Sequence, residues 1–114
     1  MPFIHVMTDR PVDTEAGEQL KRNLGEAIAL LPGKSEEWLM ICLEGGKQMW
    51  FRGDNETGCA MVEVAVFGKP DAEGCAMLTS ALTRALSDEL RLPPGQIYVS
   101  FRETGLWGWG GDLL

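Results

Sequence analysis

The sequence predicts an α/β (α+β) fold in which tandem βαβ units form one four-stranded mixed sheet with two helices on one face. Three observations carry that expectation. Apolar runs of strand character alternate with segments of helical period, the order strand, helix, strand occurs twice, and the linkers of the two halves look alike. The 114 residues are expected to form a single domain, 1–114, built as a pseudo-repeat of 1–57 and 58–114.

Residues 3–8 (FIHVMT) read as a strand rich in β-branched and aromatic residues, and Pro11 stops it because proline cannot donate to a ladder. Thr14 reads as a helix N-cap, with Glu15 and Glu18 in the first turn. Leu20, Leu24, Ala27, Ile28 and Leu31 follow at helical spacing until Pro32 and Gly33 end the run. Residues 38–43 (WLMICL) are apolar throughout and read as a buried strand. Gly45 and Gly46 then turn the chain into 48–52 (QMWFR), read as a short edge strand.

The second half repeats the plan. Residues 59–67 (CAMVEVAVF) read as a strand closed by Gly68, Lys69 and Pro70. Asp71 is placed to cap a helix that carries Met77, Leu78, Ala81, Leu82, Ala85, Leu86 and Leu90. Pro93, Pro94 and Gly95 end it, and 96–101 (QIYVSF) form the last main strand. Helix-length crossovers require parallel, right-handed strand pairs within each unit. Both helices then cover one face, yet Ile41 beside Cys42 and Val66 beside Phe67 make the strands apolar on both faces. The bare face predicts an oligomer, which would also help a chain this short, able alone to bury only about two thirds of its unfolded surface.

Seventeen acidic against ten basic residues leave a net charge of -7. Such a body repels phosphate backbones, which argues against nucleic acid, and an anionic small molecule would need a local cation. No run approaches the roughly 18 apolar residues of a membrane span. The amino end lacks the basic and apolar regions of a leader, so a reducing, cytoplasmic setting is expected. Cys42, Cys59 and Cys75 are odd in number and widely spaced, fitting neither a disulfide framework nor a zinc site; Cys42 and Cys59 read as buried free thiols.

Pro2 is the sharpest chemical feature. By itself it reads more readily as a proline opening a strand. The alternative is chemical: a small residue after Met1 permits removal of the initiator, leaving proline as a secondary amine. An ordinary α-amine has a pKa of roughly 8, and burial or a nearby cation lowers it toward the pH at which a general base works best.

Met1-Pro2-Phe3-Ile4, Leu31-Pro32-Gly33-Lys34, Gly68-Lys69, Ile97-Tyr98-Val99 and Gly108-Trp109 occur in an order and spacing that resemble macrophage migration inhibitory factor and D-dopachrome tautomerase, members of the tautomerase superfamily. The resemblance spans nearly the whole chain. It implies a double βαβ fold closed into a homotrimer, and a cofactor-free keto–enol tautomerase (isomerase) whose N-terminal proline, Pro2, is the catalytic base toward aromatic α-keto acids such as phenylpyruvate. It implies that Lys34 and the backbone near Phe67 hold the substrate carboxylate. Tyr98 and Ser100 would enter from the adjacent subunit, and Trp38, Trp107 and Trp109 would line the ring pocket. Read from the residues alone, Lys34 is a solvated loop lysine and Tyr98 a strand residue bonded elsewhere. Trp107 and Trp109 fit trimer packing as well as a pocket wall.

The departures define the alternative. Ser100 stands where the family commonly has asparagine, Arg102 alters the charge nearby, and Leu114 replaces an aromatic tail residue. The redox motif of some relatives is broken, since residues 59–62 (CAMV) keep only Cys59. No arginine lies between Arg52 and Arg84, which argues against the dehalogenase and decarboxylase branches, and no Cys–His pair marks a hydrolase. Alternation puts His5 on the face opposite Pro2, as a structural residue. No metal or organic cofactor is expected, because an α-keto acid already carries an acidified carbon. The competing expectation is a cytokine-like binding protein with a vestigial pocket, partnered by a receptor and leaving the cell by a non-classical route. A third is a different proton transfer on another metabolite.

Overall fold

A computed structural model describes residues 1–114. The main elements are β1 (Pro2–Thr8), α1 (Thr14–Ala27), β2 (Met40–Glu44), β3 (Ala60–Phe67), α2 (Ala72–Leu90) and β4 (Ile97–Thr104). A small hairpin of β5 (Gly108–Trp109) and β6 (Asp112–Leu113) ends the chain. The sheet order is β2-β1-β3-β4. Each helix crosses over between parallel strands, β1 with β2 and β3 with β4, and the two units join through antiparallel β1 and β3. The expected four-stranded mixed sheet is therefore observed.

Period-2 alternation decides which face each strand buries. Ile4, Val6, Val62, Val64 and Val66 have no more than 1% of their surface exposed and face the helices. Leu20, Leu24 and Ile28 descend from the first helical segment, and Leu78, Leu82, Leu86 and Leu90 recur every fourth residue along α2. Each such side chain contributes about 1.5–3 kcal/mol through removal from water. The helices approach closely at Gly74, where a Cβ would lie 2.9 Å from the Leu30 carbonyl oxygen. Any larger residue there would push α2 off the end of the first helical segment.

Local chemistry moves several boundaries. Asp13, not Thr14, caps α1, its carboxylate accepting from the Ala16 N–H at 2.8 Å. Aspartate holds the capping geometry one residue earlier, and Thr14 becomes the first helical position. Asp71 caps α2 as expected, accepting from the Gly74 N–H at 2.8 Å. Met77, named among the apolar residues of this helix, is half exposed because the four-residue spacing of the leucines turns it outward. Trp38 belongs to a 3₁₀ turn, Glu36–Trp38, so the strand starts at Met40.

The expected edge strand at 48–52 does not form. Arg52 and Gly53 take positive φ values of 55° and 88°, and the segment folds back on itself through a bridge between Phe51 and Asp54. A strand needs a neighbour for its ladder, and the single chain offers 48–52 none. Cys42 is also less buried than expected. It lies on β2 at the sheet edge, on the face without helices, whereas Cys59 is buried. That open face is mixed in character: Phe3, Met61 and Ala65 share it with His5, Glu44, Glu63, Ser100 and Arg102.

Candidate active site

The amino end of β1 gathers three of the expected residues. Pro2 is buried and pairs with Val66 of antiparallel β3. The next β3 residue, Phe67, donates its N–H to the Met1 carbonyl at 3.1 Å. The Phe67 carbonyl in turn accepts from Lys34 Nζ at 3.0 Å. Lys34 reaches this position because Pro32 and Gly33, with φ of 80° at the glycine, turn the chain after the first helical segment. The result is a buried proline, a cation and the Phe67 backbone at one corner of the sheet.

The electrostatics there favour a neutral amine. The chain's α-amine has its pKa lowered from 8.0, first by burial, then by the Lys34 charge and its hydrogen bond. Both burial and an adjacent cation oppose protonation, so the free-base fraction at neutral pH rises. An amine on Pro2 itself would sit one residue further into the sheet.

The aromatic residues form a second group. Trp38 and Trp109 meet edge to face, with ring centroids 5.0 Å apart and planes at 84°. The terminal hairpin brings Trp109 there, and Trp107 precedes it, accepting on its carbonyl from the Leu114 N–H at 2.9 Å. Trp38 and Trp109 remain 44% and 55% exposed, so the pair covers itself only in part and leaves apolar ring surface available.

Tyr98 and Ser100 are not at this corner. Tyr98 is level with Met61 and Met7, five residues along β1 from Pro2, or about 17 Å. Its ring is 61% exposed and packs against Phe51 at 5.1 Å, a contact that sequence spacing did not reveal. Ser100 is level with Glu63 and His5 in a 300 Å³ hollow on the open face, about 10 Å along the strand direction from Pro2. One chain therefore does not bring all the expected residues together. A separate 410 Å³ hollow, lined by Arg10, Asp13, Arg22 and Arg91 among others, includes none of them.

The family model for macrophage migration inhibitory factor matches residues 1–112. The chain belongs to the macrophage migration inhibitory factor family. A macrophage migration inhibitory factor homolog from Brugia malayi is 28% identical over 101 residues, covering 89% of this chain and 86% of the relative. The structure of the homologue from Prochlorococcus marinus superimposes with a TM-score of 0.87 at 26% identity, covering 97% of each chain. The macrophage migration inhibitory factor of Toxoplasma gondii gives a TM-score of 0.90 at 23% identity, covering 98% of this chain and 99% of the other. At that identity the likeness shows the fold. This family member has no helix long and apolar enough to cross a membrane.

Proposed function

We propose that this member of the family is a cofactor-independent keto–enol tautomerase acting on aromatic α-keto acids, with Pro2, freed by removal of Met1, as the general base. The observation that carries the proposal is the environment of the amino end: burial and Lys34 both lower the pKa of the Met1 α-amine, and both would act in the same direction on an amine at Pro2. Pro2 takes a proton from the carbon beside the ketone and delivers it to the carbonyl oxygen to give the enol, and the reverse path carries the proton from the enol oxygen back to carbon. Lys34 and the backbone at Phe67 grip the carboxylate, the lysine supplying the cation that an acidic protein needs to hold an anion. Trp38, Trp107 and Trp109 line the aromatic ring. Tyr98 and Ser100 act on the carbonyl from an adjacent copy in a homotrimer, an assignment supported by their distance from Pro2 within one chain.

A second reading is a cytokine-like binding protein with an idle pocket. It is favoured by Ser100, which stands where the family commonly has asparagine, and by Leu114 in place of an aromatic tail residue. Intact mass and phenylpyruvate tautomerase activity separate the two, measured on the wild type beside Pro2→Gly and Pro2→Ala. Loss of the Met1 mass, with activity that falls at least about a hundredfold in both variants, is the expected outcome. A processed protein that is inactive, or whose rate ignores Pro2, refutes the tautomerase reading.

A further inference from the structure

The open face of the sheet carries a side-chain cluster that the proposed reaction does not use. Parallel pairing of β1 with β2 sets His5 directly opposite Cys42, and Glu44 follows two residues along on the same face. One donor atom from each of the three lies within 4.8 Å of the other two, and all three side chains are half-buried. His5 Nε2 faces the Glu44 carboxylate in a direct contact, while Nδ1 faces Glu63 Oε1 at 3.7 Å from the other neighbouring strand. We propose that His5, Cys42 and Glu44 form a transition-metal site of the zinc type, and that Glu63 is the carboxylate that orients the imidazole.

The donor chemistry supports that ion. Imidazole nitrogen, thiolate and carboxylate are the three ligand types of zinc, and three protein ligands leave a fourth tetrahedral position for water. Ligand atoms at zinc distances of 2.0–2.3 Å stand about 3.5 Å apart, so a spread of up to 4.8 Å must close by about 1.3 Å, and the direct His5–Glu44 contact must open, through side-chain rotation. The outer groups lie close by, with Glu63 just beyond hydrogen-bond distance of Nδ1. Lys47 Nζ holds Glu44 Oε1 at 3.1 Å and leaves Oε2 directed at the imidazole. Arg102 approaches Glu63 Oε2 at 3.8 Å, leaving Oε1 toward His5 Nδ1. A carboxylate on the second ring nitrogen is the usual outer partner of a metal-bound histidine, fixing its tautomer and raising its basicity.

An imidazole–carboxylate pair alone would account for His5 and Glu44 but not for a thiol beside them. Cys42 turns the set from a hard anion pair into a mixed one that selects late transition metals over calcium or magnesium. Binding exchanges the Cys42 thiol proton for the metal and releases it to solvent, with no change of oxidation state. The bound ion would clamp β1, the strand that begins at Pro2, to the edge strand β2.

The test is titration of the chelator-treated full chain with Co²⁺ and then Zn²⁺, independent of any tautomerase assay. The expected result is one metal per chain and a thiolate-to-cobalt charge-transfer band that zinc removes. Cys42→Ser should abolish the band and weaken binding at least about tenfold, while Cys75→Ser leaves both intact. Glu63→Gln should keep the band and weaken binding about 10- to 100-fold. Circular dichroism of each variant confirms that the sheet is retained. Absence of the band, wild-type affinity in Cys42→Ser, or one metal per three chains overturns the site. Unchanged affinity in Glu63→Gln overturns the orienting role.

Discussion

Replacing Lys34 by alanine tests the proposed site at its electrostatic centre. The side chain makes two contributions that the structure separates. Its Nζ donates to the Phe67 carbonyl at 3.0 Å, which fixes where a substrate carboxylate would meet the cation. Its charge and hydrogen bond also add to burial in lowering the pKa of the chain's α-amine. A charge-assisted hydrogen bond contributes about 1.5–3 kcal/mol, which predicts a KM for phenylpyruvate raised roughly 10- to 150-fold. The pH effect has a definite sign. A cation beside an amine opposes protonation, so removing it favours the ammonium and raises the amine pKa. The acid limb of kcat/KM then moves to higher pH, and less active base remains at neutral pH. Burial, the larger cause, persists in the variant, so the limb should stay below that of a free amine. Initial rates of enol decay across about pH 5 to 9 read both effects in one experiment. Lys34→Arg, which keeps the charge, should restore the limb more fully than the KM. A Lys34→Ala enzyme with KM within twofold of wild type and an unmoved acid limb would refute the reasoning.

Two further outcomes follow from particular contacts. Thr8 is the buried polar residue of β1; its hydroxyl donates to the Cys59 carbonyl at 2.8 Å and accepts from the Arg10 N–H at 3.1 Å. Thr8→Val keeps the shape but leaves both backbone groups without that partner, at a cost of about 1–3 kcal/mol. Thermal melts at matched protein concentration should fall by several degrees, and an unchanged midpoint would show that water replaces the hydroxyl. Trp109→Ala removes one ring of the edge-to-face pair, which is worth about 0.5–1.5 kcal/mol beyond its area. KM should rise several-fold for an aromatic keto acid and stay nearly constant for an aliphatic one; equal effects on both would remove Trp109 from the ring pocket.

The layer arrangement was legible in the sequence because it depends on period. The recurrence of leucine at positions 78, 82, 86 and 90 points to one buried helix face, and a helix between two strands leaves parallel pairing as the short route. Asp71 was readable as a cap because capping involves neighbours in the chain. Thr14 was misread because Asp13 and Thr14 are both good caps and the backbone, not the residue type, chose between them. The segment 48–52 has strand composition, yet left-handed backbone at Arg52 and Gly53 turns it away from the sheet. Composition cannot supply a partner for a ladder.

Of the candidate site, the chemistry of Pro2 could be proposed from the residues and the roles of Lys34 and Phe67 only from the family resemblance, while their meeting at one corner depends on the β1–β3 register and the turn at Gly33. Tyr98 and Ser100 lie in the same chain at a distance set by that register, which no reading of their neighbours could give. The cysteine spacing excluded a zinc motif along the chain. Pairing of β1 with β2 then placed Cys42 beside His5, residues that the sequence separates by the whole first crossover. By itself the sequence determined periodicity, turns and the available functional groups, because these are local. The tertiary structure alone decided which groups meet, because register is settled by burying one face of every strand at once.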